Sequence, residues 1–433
     1  MLSGFMSAFR TPDLRKKIFY TLGIIAIYRL GVAIPTPGVD YGNIQFCAAQ
    51  ATDVNTAFQV LNLFSGGALL QLSIFALGIM PYITASIIVQ LLRVLIPRFE
   101  TLHKEGADGQ AKLTQYTRYI TVGFAALQSA SFITLARNDV FFQNCPVPII
   151  PDQSWHIITM MVLTMTAGTV LIMWLGERIT ERGVGNGMSL MIFTSIAASF
   201  PAAAVTIATS SNGVQNSIIV AVVILIVIAA VVYIEQSQRR IPVQYAKRMV
   251  GRKTLGGSST YIPIKINMAG IIPVIFASSL LMLPTIITQF AGDDPNEFIQ
   301  WLEFNVARPG SALNIVLYAL LIIFFAYFYT AITFNPDDVA DNMKKYGGFV
   351  PGIRPGAPTA DFLNYVLSRI TAAGSLYLAI VALVPTIVFI ALGLNPNIPF
   401  GGASILILVG VGLDTVKRIQ SQLEQRHYEG FLK

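Results

Sequence analysis

Charged residues are not spread evenly along this chain: they fall in clusters separated by long apolar stretches, and that pattern limits what it can fold into. A helix needs about 20 apolar residues to cross a hydrocarbon core of roughly 30 Å. Segments 18–35, 119–136, 153–176, 266–292 and 309–336 each fit one crossing. Segment 183–234 is charge-free for 52 residues and breaks near Pro201 and the SSNG at 210–213, so it makes two. Segment 370–413 breaks at GLNPNIPFGG and makes two more. Only 12% of the 433 residues are charged and 54% are hydrophobic, against about 25% charged in a soluble globular chain. The reading is a polytopic, all-α membrane protein. The N-terminal MLSGFMSAFRTPDLRKK precedes the first apolar run, and no small-residue cleavage site follows that run, so it reads as a retained span.

Segment 54–92 has 39 residues without a charge and fixes the parity of the whole chain. If it crosses once, 26 of the 29 Lys and Arg fall on one face and only Arg137 and Arg308 on the other, with Arg29 inside the first span. That bias predicts ten spans with both termini cytoplasmic, and a second crossing would destroy it. The basic excess is thereby accounted for by orientation, and no specific DNA binding is expected. One crossing uses only half of the segment, and Ser65-Gly66-Gly67 permits a bend. The remainder reads as a re-entrant half-helix from the outer side, which needs a protein cavity around it. A single long, tilted helix is the alternative. Ten spans divide near residue 210 into two five-helix halves, 1–210 and 211–433. An odd number of spans per half gives the two halves inverted orientation.

No catalytic chemistry is legible. The three histidines fall in connections or at a span entrance, and no HExxH, G-x-S-x-G or phosphate-loop motif occurs. No cofactor or metal is expected, and energy from nucleotide must come from a partner. Carboxylate relays of a proton-coupled carrier are missing from the spans, and Arg29 reads as snorkelling or structurally paired.

Five stretches together resemble the SecY family of bacterial protein-conducting channels: NLFSGGALLQLSIFALGIMPYITASIIVQLL at 62–92, GERITERGVGNGMSLMIF at 176–193, RRIPVQYAKR at 239–248, IPIKINMAGIIPVIFASSLLMLP at 262–284 and GGFVPGIRPG at 347–356. The resemblance implies two five-helix halves around an hourglass pore that opens sideways to lipid, in a bacterial plasma membrane. It makes residues 57–75 the plug, with Asn62, Leu63, Phe64, Ser65, Gly66 and Gly67 at its centre, followed by a second span from about Ala76 to Leu95. It implies a pore ring of Ile79, Ile83, Met188, Ile192, Ile275 and Ile407, where Met188 departs from the usual β-branched choice. Thr84, Ser86, Gln90 and Ser278 would lie on the lateral-gate helices.

The resemblance also makes the cytoplasmic loops 235–265 and 337–369 docking sites for the SecA motor ATPase or the ribosome, through Arg239, Arg240, Lys247, Arg248 and Arg354. For Lys344 and Lys345, setting topology and touching anionic lipid is the competing role. SecE-like and SecG-like membrane subunits are the implied partners, and signal sequences and nascent polypeptides the substrates. A secondary solute transporter with inverted repeats is the alternative from another class. Cys47 and Cys145 both fall outside by the charge count, where a disulfide is permitted if their Cα atoms come within about 7 Å.

Overall fold

Apolar segments in lipid must satisfy their own backbone hydrogen bonds, and here they do so as helices. The computed structural model describes residues 11–50, 62, 64–137, 147–209, 213–245, 248–250, 253–255, 259–290, 296–308, 310–393 and 401–431. In order these form α1 (Pro12–Val32), α2 (Tyr41–Gln50), α3 (Met80–Leu95), α4 (Pro97–Lys104), α5 (Ala107–Arg137), α6 (Trp155–Arg182), α7 (Gly187–Ala208) and α8 (Gly213–Gln236). Strands β1 (Gln238–Tyr245), β2 (Arg248–Val250), β3 (Lys253–Leu255) and β4 (Ser259–Lys265) follow. Then come α9 (Ile272–Phe290), α10 (Glu297–Leu302) with a π-turn at Glu303–Ala307, α11 (Ala312–Thr333), α12 (Pro336–Lys345), β5 (Gly348–Phe349), α13 (Ala357–Ala391) and α14 (Gly402–Phe431).

Among the described residues six helices are long and apolar enough to cross a membrane, namely α5, α6, α7, α8, α11 and α13. Helices α1, α3, α9 and α14 occupy the other apolar segments. α3 ends at Leu95, the next residue Ile96 has the extended backbone that a following proline imposes, and α4 starts at Pro97. α7 runs through Pro201 to Ala208, so the expected break falls after Ala208 and not at the proline.

The chain divides into two compact units: residues 1–219 with 394–400 and 407–433, and residues 220–393 with 401–406. The core of the first joins Ile44 and Cys47 of α2 to Leu69, Leu72, Ala76 and Leu77, to Phe132 and Ile133 of α5, and to Met161 and Met165 of α6. Glycines let its helices close up: a Cβ on Gly187 would stand 1.9 Å from the Gly176 carbonyl oxygen, so α6 and α7 touch backbone to backbone. The α6–α7 turn is held by Thr21 Oγ1, which accepts from Val184 N–H, and by Thr180 Oγ1, which accepts from Gly187 N–H. In the second unit α11 packs against α9 and α13.

Cys47 is buried and disulfide-bonded. The only other cysteine of the sequence, Cys145, lies outside the described residues. The bridge ties down the connection that carries α2 and leaves no free thiol among the described residues. A membrane-impermeant maleimide is therefore expected to leave the native protein unlabelled, to label two thiols after reduction, and to label one in Cys47→Ser without reductant. Mass spectrometry of the intact chain reads the count, and ready labelling of the unreduced native protein would refute the bridge.

Candidate functional sites

The segment before α3 is buried yet not regular. Asn62, Phe64 and Ser65 have helical geometry, turns run from Gly66 to Ile79, and α3 begins at Met80. The helix therefore starts four residues later than the span expected from about Ala76. Residues 57–61 and Leu63 lie outside the described residues. Gly66 and Gly67 take φ of +69° and +95°, the left-handed region where glycine has no steric cost. Asn62 and Ser65 fasten the turn: Asn62 Oδ1 accepts from Leu70 N–H at 3.2 Å and Ser65 Oγ from Leu69 N–H at 3.1 Å. The chain leaving α1 runs antiparallel alongside, with Thr36 N–H donating to Leu72 O at 2.9 Å and Ile74 N–H to Ile34 O at 3.0 Å. The same segment puts Leu69, Leu72, Ala76 and Leu77 into the core.

Of the residues expected at the pore, Ile79, Ile192, Ile275 and Ile407 are buried, and Ile83 and Met188 are half-buried. A Cβ on Gly176 would stand 2.5 Å from Met188 Sδ, so the thioether occupies the gap that Gly176 leaves on α6. The polar residues of the two expected gate helices bond within their own helices. Thr84 Oγ1 donates to Met80 O, Gln90 Nε2 to Ser86 Oγ and Ser278 Oγ to Ile275 O. Each therefore has a partner without a neighbouring helix.

The two long basic loops form one platform, which the all-helical sequence reading did not contain. β1 and β4 pair antiparallel from Gln238↔Lys265 to Gln244↔Ser259. β5, from the other loop, adds to the free edge of β1 through Gln244↔Phe349 and Tyr245↔Gly348. Alternation along β1 buries Ile241 and Val243 and exposes Arg240, Pro242 and Gln244. The buried face, with Ile264, packs on Met343 of α12, Val350, and Leu363, Val366 and Leu367 of α13. At its base Asn267 Nδ2 donates to the Glu235 carboxylate and to Gly270 O, which anchors β4 to the end of α8.

This sheet presents the expected cations. Arg240 lies 4.8 Å over the Tyr261 ring, a cross-strand cation–π contact, and Arg239 is exposed beside it. Arg354 stands on a shaped turn: Ile353 N–H donates to Val350 O, Gly352 has φ +84°, and Thr359 Oγ1 donates to Arg354 O at 2.8 Å. Its guanidinium is exposed, and among the described residues neither Arg239 nor Arg354 has an ion-pair partner. Lys344 and Lys345 close the last turn of α12, opposite Asp337 and Asp338 in its first turn, so they also serve the helix dipole. Arg248 sits in β2, paired with Leu255 of β3, and Lys247 lies outside the described residues. Strands were not read in either loop, and the pairing that joins the two loops lies between residues about 100 positions apart, with β5 only two residues long.

A family model described as SecY matches residues 73–416. A protein translocase subunit SecY from Streptomyces scabiei is 58% identical over the full length of both chains. Two solved structures share the fold. One is a SecY protein whose plug domain stabilizes the closed state of the translocation channel and maintains a membrane seal, with a TM-score of 0.59, 17% identity and coverage of 93% of this chain and 91% of that one. The other is Sec61 in the canine ribosome-channel complex from the endoplasmic reticulum, with the same score, identity and coverage.

Ile264 is fully buried beneath the sheet, so Ile264→Ala should loosen it by about 2–5 kcal/mol, the usual loss for a core aliphatic truncation. Limited proteolysis within 238–265 should accelerate while the membrane helices stay intact. Unchanged cleavage would show that the sheet does not depend on this contact.

Proposed function

Since the chain belongs to the SecY family of protein translocase subunits, we propose that it forms a ten-span channel of two inverted halves, residues 1–210 and 211–433, with both termini cytoplasmic. The observation that carries the reading is the buried, turn-built segment 64–79, seated among α1, α6 and α7. A plug must block a passage and yet leave it. A stretch made of turns, with few bonds of regular secondary structure, opens at lower cost than a helix of equal length.

In this reading Ile79, Ile83, Met188, Ile192, Ile275 and Ile407 form the collar around a sliding peptide. Aliphatic side chains make no directional bonds to the substrate, and an apolar constriction dewets when empty. Gln90, Thr84, Ser86 and Ser278 mark the lateral gate. Their intrahelical bonds mean that an entering apolar signal sequence leaves none of them unsatisfied, and an unsatisfied group would be costly. The platform of β1, β4 and β5 receives either a SecA-type motor, where ATP hydrolysis would occur, or the ribosome. Its exposed arginines meet acidic protein or phosphate groups there, and basic loop residues also touch anionic lipid. SecE-like and SecG-like helices complete the complex. The solute-transporter alternative is not favoured by the family match.

Removing residues 62–67 while keeping Leu69, Leu72, Ala76 and Leu77 should leave a folded channel that leaks ions. Planar-bilayer conductance checks this, and a tight barrier would refute the plug. Arg354→Glu should reduce SecA-driven or ribosome-coupled import into reconstituted vesicles about tenfold or more without altering insertion, since loss of a charge-assisted contact costs roughly 1.5–3 kcal/mol. Normal import by that variant would remove Arg354 from the docking surface, and accumulation of small solutes in place of polypeptide would favour a transporter.

A further inference from the structure

Arg29, the one charge inside the first apolar segment, does not reach for solvent. Its Nη1 donates to Gly66 O at 3.1 Å. The preceding residue, Tyr28, is fully buried and its hydroxyl lies 3.3 Å from Ser65 O and 2.6 Å from Ser195 Oγ on α7. Two consecutive donors of α1 thus meet two consecutive carbonyls of one glycine turn. Ser195 Oγ donates to Met191 O of its own helix at 3.0 Å, so Tyr28 shares its hydroxyl hydrogen between Ser195 Oγ and Ser65 O and joins α7 to the turn.

The packing around these bonds is equally close. The Tyr28 ring stacks on Phe75 with centroids 5.8 Å apart, and Phe75 in turn covers Gly31. A Cβ on Gly66 would stand 3.0 Å from Arg29 Nη1 and 3.1 Å from Ser195 Cα, so the turn fits its seat with no room for a side chain. Ser65 and Gly66 are buried, which makes the donors from α1 the means by which their carbonyls are satisfied.

We propose that Tyr28 and Arg29, backed by Ser195, are positioning residues that clamp the Ser65–Gly66 turn in its seat and set the threshold for its release. The clamp responds to water. While the site is dry, a charged donor on a carbonyl is strong, and when the passage opens and hydrates, water replaces both sides of each bond. The seal is therefore tight at rest and loses its hold once opening begins. This rests on the reading of segment 64–79 as the plug.

The full-length protein carrying Gln71→Cys provides the test, because the described residues hold no free thiol and Gln71 is half-buried outside the clamp. In intact cells an impermeant maleimide should label Gln71→Cys slowly. Adding Tyr28→Phe, which keeps the ring on Phe75 but removes the hydroxyl, or Arg29→Ala should raise the labelling rate and the resting ion current, about tenfold for Arg29→Ala. Arg29→Lys, which retains one donor, should restore both toward the parent. Ser195→Ala should give a smaller rise and supplies the answer if Arg29→Ala does not fold. Labelling rates unchanged in Tyr28→Phe and Ser195→Ala overturn the clamp. So does failure of Arg29→Lys to rescue a folded Arg29→Ala. The plug reading is judged separately by deletion of residues 62–67: leakage there with inert clamp variants keeps the plug and discards the clamp. No leakage, with faster labelling in the variants, keeps the clamp on a segment that is not a plug.

Discussion

The structure depends on keeping an irregular stretch of backbone satisfied away from water. A helix or a closed barrel solves that problem internally, and segment 64–79 is neither. Its peptide groups are met from three directions: by its own turns, by the extended residues Ile34–Thr36 alongside, and by Tyr28 and Arg29 of α1. Much of the first unit follows from this. Gly31 and Gly168 lack side chains where Phe75 and the Ile74 carbonyl press against α1 and α6, and the disulfide-bonded Cys47 packs against the same core.

Such a seat is also what makes a movable element possible. The apolar anchors Leu69, Leu72, Ala76 and Leu77 lie C-terminal to the glycine turn, and the turn, with Phe64 buried beside it, adds polar contacts that water can replace. Burial thus holds the whole segment, and the turn end adds bonds whose strength depends on hydration. In the proposed plug role both are useful, since burial alone would keep a gate shut and polarity alone would leave it wet.

The basic platform applies the opposite logic. In the proposed docking role rigidity is an advantage, because such a surface gains affinity from side chains held in place before contact. Ile241, Val243 and Ile264 root the sheet on α12 and α13, Arg240 is steadied by Tyr261, and Arg354 is carried on a turn pinned by Thr359. In the proposed reading the positive charge that orients the chain in its membrane is also the charge displayed for a partner, so topology and recognition share residues.

Much of this was written in the sequence. Charge-free runs fix where helices form, because the bilayer sets a length and charges in lipid are costly, and each apolar segment carries a helix, although residues 66–79 of segment 54–92 are turns. The parity of 54–92 led to a re-entrant half-helix ahead of α3, since apolar residues left over from one crossing have nowhere else to go, and the segment found there is buried but built mostly of turns. Arg29 stood out as an anomaly, though its partner could not be named. What only the tertiary structure decided are the contacts between distant positions: Tyr28 with Ser195, Arg29 with Gly66, Met188 with Gly176, and β5 joining two loops into one sheet. Periodicity and charge are local or one-dimensional signals that report whether a residue is buried. Which carbonyl a buried donor finds depends on how helices far apart in the chain close on one another.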